Sequence, residues 1–120
     1  MRDFTDDLRE QRTRLGEAEG YLKIGEARNR LVELEAEMQR PDLWDDAELA
    51  KKVNTDYANV TDDVDTYDGL ASQLDDAEVL HELAREEGDE SQEPEIAAAI
   101  AAISSALDQL EMRSLFTGEH

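Results

Sequence analysis

The side chains of this 120-residue chain that could do chemistry are carboxylates, two histidines and one short acidic repeat. Asp63-Val64-Asp65-Thr66-Tyr67-Asp68-Gly69 has the alternating acids of a calcium loop. Such a loop takes side-chain oxygen ligands at its first, third and fifth places, a backbone carbonyl at its seventh, glycine at its sixth and a bidentate glutamate at its twelfth. Here Tyr67 falls fifth, Gly69 seventh and the apolar Leu74 twelfth, so the calcium chemistry fails. His81 and His120 are far apart in sequence and the second is terminal, so they make no metal or general-base pair; His81 reads as a helix-face residue. Asn59-Val60-Thr61 fits a glycosylation sequon, but the opening Met1-Arg2-Asp3-Phe4-Thr5-Asp6-Asp7 has no apolar run to direct secretion. With no cysteine, thiol and disulfide chemistry are excluded. No glycine-rich phosphate loop or nucleophile elbow occurs. Expected catalytic, cofactor-binding and metal-ligating residues are therefore none, and no cofactor is implied.

Charge excludes a further class. Lys and Arg number 12 against 32 Asp and Glu, a formal charge of −20. Residues 1–52 hold 10 basic and 14 acidic side chains, whereas residues 53–120 hold only Arg85 and Arg113 against 18 acids. A surface of that sign repels phosphate, so direct nucleic-acid binding is not expected of this domain. No stretch approaches the roughly 20 apolar residues of a membrane span, and a cytoplasmic location is the expectation. The acidic balance, with 9 Arg to 3 Lys, resembles that of cytoplasmic proteins from salt-accumulating organisms.

The elements carrying these side chains read as helix throughout. Phe4, Leu8, Leu15, Ala18 and Leu22 share one face of a first helix at about 4–20, with Asp6 and Asp7 in its first turn. Gly16, Gly20 and Gly25 loosen its end, and Ile24, Ala27, Leu31, Leu34 and Met38 mark a second helix at about 25–39. Glu10–Arg14 and Glu26–Arg30 have the spacing of i,i+4 ion pairs. Ala50, Val53, Tyr57, Val60, Val64, Tyr67, Ala71 and Leu74 keep heptad spacing along a third, at about 45–87. Its register slips at Asp75-Asp76 to a new stripe of Ala77, Leu80, Leu83 and Ala84, which predicts a kink or break near 75 with an Asp cap. After the polar Gly88–Glu93 loop, Pro94 opens a fourth helix at about 93–115, its stripe Ile96, Ile100, Ile103, Leu107 and Leu110. The fold class is thus all-α: a single domain over 1–120, an elongated antiparallel bundle with coiled-coil-like packing around one long helix. Helices one and two are expected along the first half of that helix and the last along its second half.

The organising turn is Arg40-Pro41-Asp42-Leu43-Trp44-Asp45-Asp46. Proline lacks an N–H and restricts the residue before it, so the second helix must stop near Arg40. Asp45 is placed to cap the third helix, with Glu48 three residues on in the position of a capping-box acid. Leu43 and Trp44 are both expected to fold back between the helices. Pro41, Leu43, Trp44 and Asp45 are the structural-turn residues of this reading.

The segment Ala27-Arg28-Asn29-Arg30-Leu31-Val32-Glu33-Leu34-Glu35-Ala36-Glu37-Met38-Gln39-Arg40-Pro41-Asp42-Leu43-Trp44 resembles the N-terminal region of the bacterial peptide chain release factor 2 family. Gly20-Tyr21-Leu22 matches just upstream, and Gln109-Leu110-Glu111-Met112-Arg113-Ser114-Leu115-Phe116-Thr117-Gly118-Glu119 resembles that family's exit from the domain. Residues 55–105 are similar in helical layout and acidity more than in motif. The resemblance implies part of a translation termination factor that directs peptide release at UGA and UAA. It also implies a helical arm near the stalk base of the large ribosomal subunit and the GTPase release factor 3. The Ser-Pro-Phe and Gly-Gly-Gln tripeptides that the family uses for codon reading and hydrolysis do not occur here, so the domain alone is not expected to be an enzyme. Lys23 stands where the family often has Asp, which bears on its programmed frameshift rather than on the domain. The other reading is a free-standing acidic adaptor or coiled-coil scaffold. Leu115 and Phe116 lie beyond the apolar stripe and are candidate inter-domain contacts, with Gly118 releasing the helix. On the family pattern, roughly 250 further residues would follow.

Overall fold

Four helices account for nearly all of the computed structural model, which describes residues 1–117. They are α1 (Thr5–Tyr21), α2 (Ile24–Met38), α3 (Ala47–Glu87) and α4 (Glu93–Thr117), with 3₁₀ turns at Pro41–Asp45 and Glu90–Gln92. No strand occurs among the described residues. The molecule measures 62 × 29 × 19 Å, and its long axis is set by the 41 residues of α3. The Gly118 exit lies outside the described residues.

The chain folds as two stacked units on one shared helix. On the second half of α3, α1 and α4 pack beside each other. Phe4, at the N-cap of α1, and Leu8 and Leu15 within it meet Leu70, Leu74, Ala77 and Ala84 from α3 and Ile96, Ile103, Leu107 and Leu110 from α4. On the first half, α2 packs alone: Leu34 meets Leu43, Ala50 and Val53, with Met38, Tyr57 and Val60 at the margin. Each large side chain in these clusters contributes about 1.5–3 kcal/mol relative to exposure. The expectation that α1 would lie on the first half of α3 is therefore corrected. Arg12 of α1 pairs with Asp75 and Glu78, and Arg28 of α2 with Asp68, so α1 and α2 run end to end down α3.

The joint between α1 and α2 explains that arrangement. In one continuous helix Leu22 and Ile24 would point about 200° apart. Lys23 adopts a left-handed conformation (φ 53°, ψ 51°), which resets the phase so that Leu22 is half-buried and Ile24 fully buried. The glycines do not make this joint; Gly20 and Gly25 both lie inside helices.

Helix α3 is unbroken through Asp75-Asp76, correcting the expected break. Neither Asp caps anything there: Asp75 reaches Arg12 at 2.7 Å, and the register shift is absorbed because α3 changes partner from α2 to the α1–α4 pair. The stripe beyond the shift is also corrected, since Leu83 is exposed and His81 is buried in line with Ala77 and Ala84. The helix ends at Gly88 (φ 65°), where Asp89 N–H donates to Ala84 O at 2.9 Å and Gly88 N–H to Arg85 O at 3.3 Å, a Schellman cap. The expected Glu10–Arg14 and Glu26–Arg30 pairs do not form. Arg14 reaches across to Asp108 and Glu111 of α4, while Arg30 engages Glu33, Glu37 and Asp56. For Arg14 the carboxylates of α4 win because it is drawn into the α1–α4 seam, with only 18% of its side chain exposed.

Candidate functional site

Pro41 forces Arg40 into extended backbone (φ −77°, ψ 124°), and the chain then turns tightly from Pro41 to Asp45. Leu43 N–H donates to Arg40 O and Asp46 N–H to Leu43 O, both at 3.2 Å. In a 3₁₀ turn successive side chains diverge by about 120°, so two adjacent residues cannot enter one groove. Leu43 takes it, 5% exposed against Leu34, Ala50 and Val53. Trp44 is 55% exposed, which corrects the expected inward packing. The cap is corrected as well. Asp46 Oδ1 accepts from Leu49 N–H at 3.1 Å and is the N-cap of α3, whereas Asp45 closes the turn before it.

Trp44 lines a shallow groove of about 710 Å³ on α3 together with Ala47, Lys51, Asn54 and Ala58. Leu115 and Phe116 are 77% and 81% exposed on α4. The structure brings neither into contact with the turn, and it leaves both apolar features open.

Two buried polar side chains belong to the scaffold: His81, which the sequence reading places on a helix face without a partner, and Gln11, which it passes over. His81 Nε2 accepts the Phe4 backbone N–H at 3.1 Å, and its ring meets the Phe4 ring edge-on at 5.8 Å. Gln11 fills the gap between Leu8 and Leu15, donating from Nε2 to Ile100 O (2.7 Å) and Ser104 Oγ (2.8 Å). Their positions in the apolar stripes, Leu8-Gln11-Leu15 and Ala77-His81-Ala84, are the available signal. Asp63 and Asp68 of the calcium-like stretch lie in α3 and pair with Arg113 and Arg28.

Electrostatics distinguish the arginines from the lysines. Each of the nine arginines has a carboxylate within 4 Å. Hydrogen bonding to Glu111, with Asp108 adding to it against a burial cost, raises the Arg14 guanidinium above its ordinary value. The Arg28 hydrogen bonds hold Asp68 below the usual carboxylate range. Burial pushes the Tyr21 phenol up, and the charge of Glu111 adds to it. Among the described residues, no ion pair engages Lys23, Lys51 or Lys52. No group of three or more His, Asp or Glu among them could hold a metal ion, and no helix is long and apolar enough to cross a membrane.

An acidic helical arm with an exposed tryptophan at its proline turn is the class of domain these features define. Residues 27–120 match the PCRF domain, and the chain belongs to that family. Across 98% of its length it is similar to proteins named peptide chain release factor 2. It is 36% identical to those of Salinispora arenicola and Acidothermus cellulolyticus and 34% identical to that of Mycolicibacterium smegmatis. The chain spans 32% of the length of these curated relatives.

Proposed function

We propose that this chain is the N-terminal helical domain of a class I translation termination factor that directs peptide release at UGA and UAA. The observation that carries the reading is similarity over 98% of this chain to relatives that share the one name. In that role the domain is a docking arm and does not itself catalyse. The sequence has neither Gly-Gly-Gln for hydrolysis nor Ser-Pro-Phe for codon reading. Its partners are the ribosome, at the stalk base of the large subunit, and release factor 3, in the cytoplasm. A charge of −20 suits protein surfaces there better than RNA. Leu115 and Phe116, exposed here, are the proposed contacts with the rest of the factor.

The test is peptide release from stop-programmed ribosomes. The full-length parent should release peptide at UGA and UAA, the 120-residue chain alone should release none, and deleting residues 1–120 from the parent should slow release. Codon-dependent release by the isolated chain, or a parent inactive at both codons, overturns the reading.

A further inference from the structure

The groove beside Trp44 lies on the track that α4 follows along α3. Leu80, Ala77 and Gln73 of α3 line a crevice with Ala99 and Ile103 of α4. One side of α3 continues from them, at steps of three and four residues, through Gly69, Thr66, Asp62, Asn59 and Thr55 to Lys51. Arg113, near the end of α4, pairs with Asp62 and Asp63. Val53, Tyr57 and Val60 turn another side of α3 to α2. The first half of α3 thus has a helix on one side only, while the second half has two.

The bare flank differs in chemistry from the rest of the surface. No Asp or Glu lines its groove, although acids make up 32 of the 120 residues, whereas the groove between α1 and α3 is lined by Glu78, Glu82 and Glu86. Its α3 lining steps through Ala47, Lys51, Asn54 and Ala58, small or flexible side chains at helical spacing that let a second backbone come close. It includes the exposed ring of Trp44, a residue type that supplies large contact energies at interfaces. Lys51 is the groove's one charge, and no ion pair engages it among the described residues.

We infer that this flank seats an α-helix of a partner protein, one with small apolar residues on its docking face and a carboxylate opposite Lys51. Charge complementarity selects this occupant. An ammonium in a groove lined by no carboxylate attracts a local acid. One lysine on a −20 domain does not hold a polynucleotide, and a second copy packed groove to groove would bring two such charges together. The inference rests on the surface alone and stands whether or not the domain serves termination.

The probe is a stapled peptide copying residues 93–113, which carries an Ala/Ile face and acidic side chains. It is titrated into the isotope-labelled 120-residue chain. The expected result is saturable shifts at the Trp44 indole, Ala47, Asn54 and Ala58, with a blue shift in Trp44 emission. A peptide with Asp in place of the isoleucines should give none. Lys51→Glu or Ala58→Glu should weaken binding at least tenfold while leaving the unfolding midpoint unchanged, because both side chains are exposed. Three results overturn the inference: no shift at millimolar peptide; shifts confined to residues that already face α4; or equal shifts at the groove from a 12-mer oligouridylate. Sedimentation showing a dimer that protects Trp44 also overturns it, in favour of a second copy.

Discussion

The imidazole of His81 and the backbone N–H of Phe4 meet at 3.1 Å, tying the start of α1 to the far end of α3. Both residues are buried, so Nε2 is the only acceptor shown for that N–H. His81→Phe keeps an aromatic ring but removes the acceptor, and an orphaned buried donor costs about 1–3 kcal/mol. His81→Gln retains an acceptor oxygen and should cost less. Urea unfolding of the two variants checks the order; equal losses would show that packing, not the hydrogen bond, holds the pair.

Leu43 and Trp44 should respond to truncation in opposite ways. Leu43→Ala opens a cavity beside Leu34 and Val53 and should cost ~2–5 kcal/mol. Trp44→Ala removes a ring that is 55% exposed and should cost less than about 1 kcal/mol. Trp44 emission in the isolated chain should be red-shifted and readily quenched by acrylamide. A blue-shifted, protected indole would contradict the exposed placement.

The apolar stripes made the all-α architecture legible, because heptad spacing over α3 and α4 admits little else. The placement of the stripes on one another was not legible. Side-chain period says which face is buried but not against which helix, so the partner change along α3 looked like a break at Asp75-Asp76. At the turn, proline chemistry located the stop, while the divergence of Leu43 from Trp44 and the choice of Asp46 over Asp45 as cap depend on turn geometry. The roles of His81 and Gln11 were hidden for a different reason. A polar residue in an apolar stripe is read as a gap until its partner, here Phe4 N–H or Ile100 O, is known.

Lys23 is the one non-glycine residue with positive φ among those described. The left-handed conformation costs a residue with a Cβ roughly 1–2 kcal/mol, and glycine escapes that cost. Lys23→Gly should therefore be neutral or stabilising by up to about 1 kcal/mol. Lys23→Val, branched at Cβ, should destabilise. Thermal melts of both variants check the order, and a destabilising glycine would show that the Lys23 side chain itself holds the joint.

Asp68 makes one clear contribution to acid stability. Hydrogen bonding by Arg28 lowers its folded-state pKa from 3.8, so the contribution is present above 3.8 and is lost as pH falls through the lower folded value. Half the Asp68 side chain is exposed, which keeps the pair in the surface range of roughly 0.2–1 kcal/mol. Asp68→Asn should lower stability by that amount at neutral pH and converge on the parent below 3.8. Parallel curves across the acid range would remove Asp68 from the linkage.

Salt should stabilise the domain, because its attractive and repulsive charge terms act at different ranges. The ion pairs are contacts of 2.5–3.8 Å, most of them hydrogen-bonded, and each arginine already has its partner. The excess of acids, 32 against 12 basic side chains, repels across longer gaps between exposed faces. Screening falls from about 10 Å at 0.1 M to about 3 Å at 1 M, so added salt removes the long-range repulsion before it erodes the contacts. Tm at neutral pH should rise steadily from low to molar monovalent salt, similarly for sodium and potassium chloride. Glutamine substitutions at Asp76 and Glu82, exposed acids outside the ion pairs described here, should raise Tm at low salt and flatten that rise. A Tm that falls with salt would mean that the arginine contacts outweigh the repulsion, and the −20 charge would then be no burden on the fold.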